Sequence, residues 1–344
     1  MDKEVTISDV AKAAGVGRGT VDRVLHNRGR VSEETAQKVI NVIQQLGYKP
    51  NMAARILARK RAYKIAVILR DKEKDFWDLV KRGINQAEAE HAEIGIKIER
   101  FIVNGIDEKE QIEVIKSVIA DQYDGLAIVP MLSKNVQKIL SQAVKEGIKV
   151  LLFNTRIECA KTCYVGEDAF QSGRTAGRMM SLLAKIEGRY LVVSQGQGMN
   201  YGLDQRYQGF RQVIEADRPD LKCIGFIDGE GDYGKVYRMV SDFLSREKAD
   251  AIYTTNAVVE VVAKAAVEHG VAKQIKIIGH DALPSTLKYL RKGVIDLLID
   301  QEPQRQGYLA IDKLCRALLR DEKQEDEYTR IEIVIAENEM YRQF

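Results

Sequence analysis

A chain of 344 residues with 45% hydrophobic residues, 30% charged residues and a formal net charge of +3 has the composition of an ordinary globular protein, long enough for more than one core. No apolar run approaches the roughly 20 residues that a membrane span needs, and the charged start MDKEVT does not read as a signal peptide, so the expected compartment is the cytoplasm. Charge is unevenly shared: residues 1–60 carry 11 Lys and Arg against 6 Asp and Glu, net +5, and the remainder carries 42 against 44, net −2. A polyanion would therefore be gripped at the N-terminal end, with an affinity that falls as salt rises.

Thr6 precedes an apolar-periodic run and Asp9 follows three residues later, a capping pattern that predicts a short helix through Val10 and Ala13, ended by Gly15. From Gly17 to Leu25 a second helix turns Val16, Val21, Val24 and Leu25 toward a core. It leaves Arg18, Gly19, Thr20 and Arg23 outside, as a helix seated in a DNA major groove requires. Ser32 caps a third helix with Glu33 and Glu34 in its first turn, and Val39, Ile40, Ile43 and Leu46 are expected to close the small core before Gly47 and Pro50 stop the helix.

The segments T-I-S-D-V-A-K-A-A-G-V, T-V-D-R-V-L, V-S-E-E-T, L-G-Y-K-P-N and A-A-R-I-L-A follow one another within residues 4–60. This stretch resembles the DNA-binding head of the lactose-repressor (LacI/GalR) family of bacterial transcription regulators. The resemblance implies that Arg18, Gly19 and Arg23 occupy base-reading positions, where an arginine can fork onto guanine, and that Thr6, Ser8, Thr20, Asn27 and Arg28 complete the DNA face. Asp22 stands where the family usually has a small hydroxyl residue; it either costs a phosphate contact or accepts from a cytosine amine. The resemblance also implies a hinge helix that forms when two subunits meet on DNA, with Leu57 prying open a minor-groove base step, Ala54 permitting close approach, and Arg55, Arg59 and Lys60 placed for phosphates.

From Lys64 onward apolar runs alternate with amphipathic, helix-length stretches: 65–69, 96–103, 125–130, 150–154, 190–195, 224–228, 251–256, 275–281 and 294–301. Such alternation predicts an α/β body of parallel sheets covered on both faces. The resemblance implies two Rossmann-like lobes joined by three crossovers, as in periplasmic sugar-binding proteins. The expected organisation is a head over 1–50, a hinge over 51–61 and an effector-binding and dimerisation domain over 62–344, with lobe 1 at about 62–158 and 292–322 and lobe 2 at about 159–291 and 323–344.

Ligands of doubly wound sheets bind beyond the carboxyl ends of strands, so the polar residues ending these runs are the candidate site. They are Asp75, Phe76 and Trp77 after the first strand, Asn154, Thr155 and Arg156 after the fourth, and Asn256, Asp281 and Gln301 on later ones, with Asp204 and Arg206 on an intervening helix. By resemblance, the aromatics stack on a sugar ring and the polar groups bond its hydroxyls. Two departures bear on the ligand. Many relatives have Asp-Arg where this chain has Asn154-Thr155 with Arg156 one place later, and within Y-G-L-D-Q-R-Y-Q-G-F the usual pocket arginine aligns with Asp204. A carboxylate there favours a hydroxyl donor or a cation, so a neutral sugar or polyol is expected, with an amino-bearing one as a variant and a phosphosugar or nucleobase as the alternative class. Asp204 read simply as a helix cap is an equal alternative.

Gly229-Glu-Gly231-Asp-Tyr-Gly234 matches G-x-G-x-x-G between a strand and a helix, the pattern of a dinucleotide phosphate loop. The following strand ends at Asn256 with no acidic residue for a ribose, and no catalytic constellation is visible, so an NAD-type enzyme is the disfavoured alternative. His26, His91, His269 and His280 are scattered, and Cys159, Cys163, Cys223 and Cys315 lack metal-ligand spacing, so no metal and no cofactor is expected. The expected partners are palindromic operator DNA, a small-molecule effector and a second copy of the chain, in a repressor whose two sites are coupled.

Overall fold

The structure, a computed structural model, describes residues 5–342 apart from 26–28, 30, 49–61, 71–73, 93–94, 105–106, 197, 199 and 321. Helix α1 (Ile7–Ala14) begins at a complete capping box: the Asp9 amide donates to the Thr6 hydroxyl, and the Asp9 carboxylate accepts from the Thr6 amide at 2.9 Å and hydroxyl at 2.7 Å. Gly15 at φ 66° ends it in the left-handed conformation. Helices α2 (Arg18–Leu25) and α3 (Glu33–Leu46) follow, the latter capped by Ser32. Val10, Ala11, Ala14, Val21 and Val39 form the buried centre of this head, with Val16, Val24, Leu25, Val42 and Ile43 packed around it. Ile40 and Leu46, expected in this core, are exposed. Ile40 is one residue, about 100° of helix, off the stripe through Val39 and Ile43, and Leu46 lies a turn beyond Val42 at the end of α3.

The body contains β1 (Tyr63–Arg70), α4 (Lys74–Glu90), β2 (Ile96–Val103), α5 (Glu108–Ala120), β3 (Gly125–Ile128), α6 (Lys134–Lys145), β4 (Lys149–Phe153) and β5 (Cys163–Gly166). Then come α7 (Ala169–Leu183), β6 (Arg189–Ser194), α8 (Tyr201–Asp217), β7 (Lys222–Asp228), α9 (Tyr233–Arg246), β8 (Ala251–Thr254), α10 (Val259–Glu268) and β9 (Lys276–His280). The remainder is α11 (Pro284–Leu290), β10 (Leu297–Asp300), α12 (Pro303–Arg320), β11 (Glu327–Tyr328) and β12 (Glu332–Val334). Two six-stranded sheets result, ordered β11-β5-β4-β3-β1-β2 and β12-β10-β9-β8-β6-β7, with every pairing parallel except β10 to β12. Each sheet has a core on both faces. In β1, Ile65, Val67 and Leu69 enter one core while Ala66 and Ile68 enter the other, the period-two alternation of a strand buried on two sides.

The chain passes between sheets three times: after β5, after β10 and between β11 and β12. These positions differ from the expected lobe boundaries. β5 and β11 belong to the first sheet rather than lobe 2, and β10 to the second sheet rather than lobe 1. Strands β5 and β11 have only four and two residues, too short for a periodic signal, and the partner of β10 is set by long-range pairing with β9 that no local pattern encodes.

Within each lobe one helix pair meets almost backbone to backbone. A Cβ on Gly173 of α7 would lie 1.9 Å from the Arg206 carbonyl oxygen of α8, and one on Gly209 would lie 2.0 Å from that of Phe170. The same holds for Gly83 of α4 and Gly307 of α12, at 1.8 Å from Gln304 O and 2.1 Å from Val80 O. These contacts are with backbone, which cannot swing aside, so the helices must separate to admit a methyl group. Gly173→Ala is expected to cost about 1–3 kcal/mol, read as a lower urea midpoint at unchanged m-value.

Candidate effector cleft

A cavity of about 380 Å³ lies between the two lobes, within the roughly 300–1,000 Å³ range of small-molecule sites. Phe76 and Trp77 enter it from the first turn of α4, both buried, with ring centroids 5.0 Å apart and planes at 82°. The strand ends supply polar lining. Asn154 follows β4, Asn256 follows β8, Asp281 follows β9 and Gln301 follows β10, and all four line the cavity. Asn154 and Asp281 sit at φ 60° and 67°, in the left-handed region that short amide and acid side chains tolerate best among non-glycine residues. This backbone turn ends the strand and aims the side chain off the sheet.

The strand-end groups fix one another. Gln301 Nε2 donates to Asp281 Oδ1 at 2.6 Å, and Asn154 Nδ2 donates to the amide oxygens of Gln301 at 3.3 Å and Gln306 at 3.2 Å. Gln306, fully buried on α12, returns Nε2 to the Gln301 carbonyl at 2.9 Å. Asn256 Nδ2 reaches Gln195 Oε1, at the end of β6, at 3.4 Å. Crossed amide and carboxylate pairs of this kind hold donors and acceptors in place before any ligand arrives.

At the lobe 2 wall, Arg206 of α8 and Glu167, the residue after β5, form a buried ion pair. Arg206 Nε and Nη2 reach Glu167 Oε1 at 2.6 and 2.5 Å, and Nη1 donates to the Thr255 carbonyl at 2.7 Å. Burial pulls the guanidinium down, but the Glu167 and Asp281 carboxylates more than offset this and hold it above its ordinary range. Removing one partner of such a pair costs about 3–5 kcal/mol, because a bare charge is left inside. The second carboxylate oxygen of Glu167, Oε2, is buried with no hydrogen-bond partner among the described residues. An acceptor left so costs about 1–3 kcal/mol.

Several sequence candidates do not line this cavity. Asp75 is half-buried in the first turn of α4 and is not part of the lining. Thr155 is buried, its hydroxyl directed at Asn154 Oδ1, and Arg156 turns to the Tyr328 hydroxyl at 2.9 Å and Asp326 at 3.1 Å. Asp204 also lies off the cavity. Its Oδ1 accepts from the Gly198 amide at 2.7 Å and so pins the loop before α8, while Asn200 caps that helix. Burial, then the neighbouring Asp228 charge, raises the Asp204 carboxyl above its ordinary range against the Gly198 bond, which lowers it. Of the two candidates on α8, Arg206 lines the cavity and Asp204 does not. Glu167, Gln195 and Gln306 went unread in the sequence, although Gln195 ends an apolar run and was open to the same strand-end logic.

In the Gly229–Gly234 segment the amides of Gly229, Glu230 and Asp232 are bonded to Ser194, Asp228 and Gly229 within the protein. Asp232 caps α9 itself, its carboxylate accepting from the amides of Gly234 at 2.7 Å and Lys235 at 3.1 Å. Burial pushes the thiols of Cys163 and Cys315 up to about 12, so neither is a thiolate at neutral pH. No group of three His, Cys, Asp or Glu among the described residues is placed to hold a metal ion, and no described helix is long and apolar enough to cross a membrane.

On the head, Ser8, Arg18, Gly19 and Arg23 are exposed and Thr20 and Asp22 half-buried. Thr6, exposed too, commits its hydroxyl to the capping box, and Arg23 Nε folds onto the Gly19 carbonyl at 3.0 Å. Asn27, Arg28, Ala54, Arg55 and Leu57 lie outside the described residues, as does the hinge.

A three-helix head with a basic exposed helix, joined to two parallel-sheet lobes around a cleft, has the architecture of a DNA-binding transcription regulator with a small-molecule-binding type of body. Residues 6–51 match the lacI family of bacterial regulatory proteins and residues 65–323 the periplasmic binding protein domain. The chain is 31% identical over 236 residues to catabolite control protein A of Staphylococcus epidermidis, covering 67% of each chain. It is 26% identical over 275 residues to the HTH-type transcriptional regulator DegA of Bacillus subtilis, covering 80% of this chain and 79% of that one. It therefore belongs to the lacI family and is a transcriptional regulator of that type rather than an enzyme. Its body has the fold of GanP, a glucose-galactose binding protein from Geobacillus stearothermophilus, at a TM-score of 0.74 and 21% identity over 81% of this chain and 99% of that one.

Behind the cleft, His280 is fully buried between the Tyr253 hydroxyl, 3.0 Å from Nε2, and the Ser172 hydroxyl, 3.5 Å from Nδ1. Burial, reinforced by the Arg206 charge, holds it well below its ordinary value near 6.5. Above that pH neither folded nor unfolded chain is protonated there and the stability is fully present. Below it the unfolded chain takes up a proton that the folded chain refuses, so stability falls with pH by up to about 1.4 kcal/mol per unit. Urea midpoints at pH 7.0 and 5.5 are expected to drop in the unmodified chain and to drop less in His280→Gln.

Proposed function

We propose that this regulator is a cytoplasmic homodimeric repressor that reads a palindromic operator through α2 and the hinge, and that a small neutral or amino-bearing sugar or polyol in the cleft sets its operator affinity. The observation that carries the effector assignment is that two aromatic rings, Phe76 and Trp77, line one cavity together with the polar side chains of Asn154, Asn256, Asp281 and Gln301. A polyhydroxylated ring has an apolar face for the aromatics and an edge of hydroxyls for amides and carboxylates. The glucose-galactose binding of GanP, a protein of the same fold, supports this chemistry.

The operator assignment rests on the family and on the exposed Arg18 and Arg23 of a head whose segment carries a net charge of +5. Two copies on a two-fold axis match two half-sites. An effector that binds one lobe arrangement better than another shifts the hinge equilibrium by that difference, and the operator shifts effector affinity by the same factor.

The test is fluorescence anisotropy of labelled operator with the full chain, with and without a bound sugar or polyol identified by thermal shift. Arg18→Ala is expected to weaken operator binding by about 1–3 kcal/mol and to relax preference at one base pair. Trp77→Ala is expected to weaken effector binding at least about tenfold, or 1.4 kcal/mol, and to abolish the effector's influence on the operator. Full effector response in Trp77→Ala would remove the cleft from the mechanism.

A further inference from the structure

Glu167 is a cavity-wall residue outside the set of candidates that the sequence offers, and its surroundings are unusual. It is 5% exposed, it follows β5 at the first passage between the sheets, and it lines the cavity. One of its carboxylate oxygens holds two nitrogens of Arg206, whose third terminal nitrogen is given to the Thr255 carbonyl. The other, Oε2, is buried without a hydrogen-bond partner among the described residues. Natural structures rarely leave such an acceptor unmade unless something else satisfies it. Charge points the same way. The Glu167–Arg206 pair cancels, and the rest of the lining keeps two carboxylates, Glu108 and Asp281, against one guanidinium, Arg70.

We propose that Glu167 is a specificity-determining residue of the cleft, accepting through Oε2 a hydrogen bond from a hydroxyl or ammonium group of the effector and excluding acidic and phosphorylated sugars from that wall. This rests on the cleft being the effector site. An ionised carboxylate only accepts, so a ligand hydroxyl must donate to it, an ammonium adds charge complementarity, and a ligand carboxylate or phosphate meets repulsion in a dry setting. The preference for neutral or amino-bearing ligands, tied to Asp204 in the sequence, is thus carried by Glu167.

The experiment is calorimetric titration of the full chain with D-galactose, myo-inositol, D-glucosamine, D-galacturonate and D-glucose 6-phosphate, in the unmodified protein, Glu167→Gln, Glu167→Asp and Trp77→Ala. Glu167→Gln keeps an oxygen for Arg206 and puts an amide donor or second contact in place of Oε2. Glu167→Asp keeps the charge opposite Arg206 but withdraws the acceptor by one methylene, so it serves if the Gln variant fails to fold. The expected result is that the unmodified chain prefers a neutral or amino probe, that both Glu167 variants bind that probe at least about tenfold more weakly, and that Glu167→Gln narrows the gap to D-galacturonate. If both folded Glu167 variants bind it within about twofold of the unmodified chain while Trp77→Ala does not bind it, the cleft reading stands and the role of Glu167 is overturned. If Trp77→Ala binds normally as well, the cleft reading itself fails. An unmodified chain that prefers D-galacturonate or D-glucose 6-phosphate, or takes none of the five, also overturns the proposal.

Discussion

The cleft depends on a constraint of connectivity: the chain must pass between its two sheets three times, and it does so at the carboxyl ends of strands. A parallel strand buried on both faces can stop only where its side chains leave the core, so each stop is a place for polar residues. The first passage carries Glu167, the second Gln301, and the third is tied to both, since the Thr329 amide donates to the Gly166 carbonyl at 2.8 Å and the Arg330 amide to Glu302 at 2.9 Å. Two cavity residues are therefore parts of the connection itself. A change in the angle between the lobes would be a change in the position of Glu167 and Gln301.

Rigidity within the lobes complements this. The backbone-to-backbone contact of α7 with α8 leaves no slack between the helix that starts at the first passage and the helix that carries Arg206. Lobe 2 thus presents Arg206, Asn256 and Asp281 as one piece, and lobe 1 presents Phe76, Trp77 and Asn154 as another. Rearrangement is expected as movement of one piece against the other, with side chains on each wall holding their places.

The head and the strand-helix alternation were legible because each rests on local chemistry: a Thr6–Asp9 capping box, an αL glycine at residue 15, and runs of β-branched residues separated by amphipathic stretches. The strand-end rule found Asn154, Asn256, Asp281 and Gln301 for the same reason. What escaped notice was what only pairing decides. A four-residue strand ending at Gly166 has no periodicity to announce it, so Glu167 was invisible as a strand-end residue. Asp204 and Arg206 show a further limit, because a helix turns about 100° per residue: Arg206, two places on, faces a direction that Asp204 does not, and residue type alone does not reveal which of the two looks into the cleft.

The left-handed backbone at Asn154 and Asp281 narrows how such a cleft can diversify. At a positive φ the side chains that fit cheaply are glycine, asparagine and aspartate, and branched or bulky ones are penalised. Exchange of asparagine for aspartate alters neither shape nor volume much, yet it converts a group that both donates and accepts into one that only accepts. Successive descendants of this scaffold can thus retune which hydroxyls they recognise by swapping nitrogen for oxygen at fixed points in space, leaving the architecture of the strands untouched.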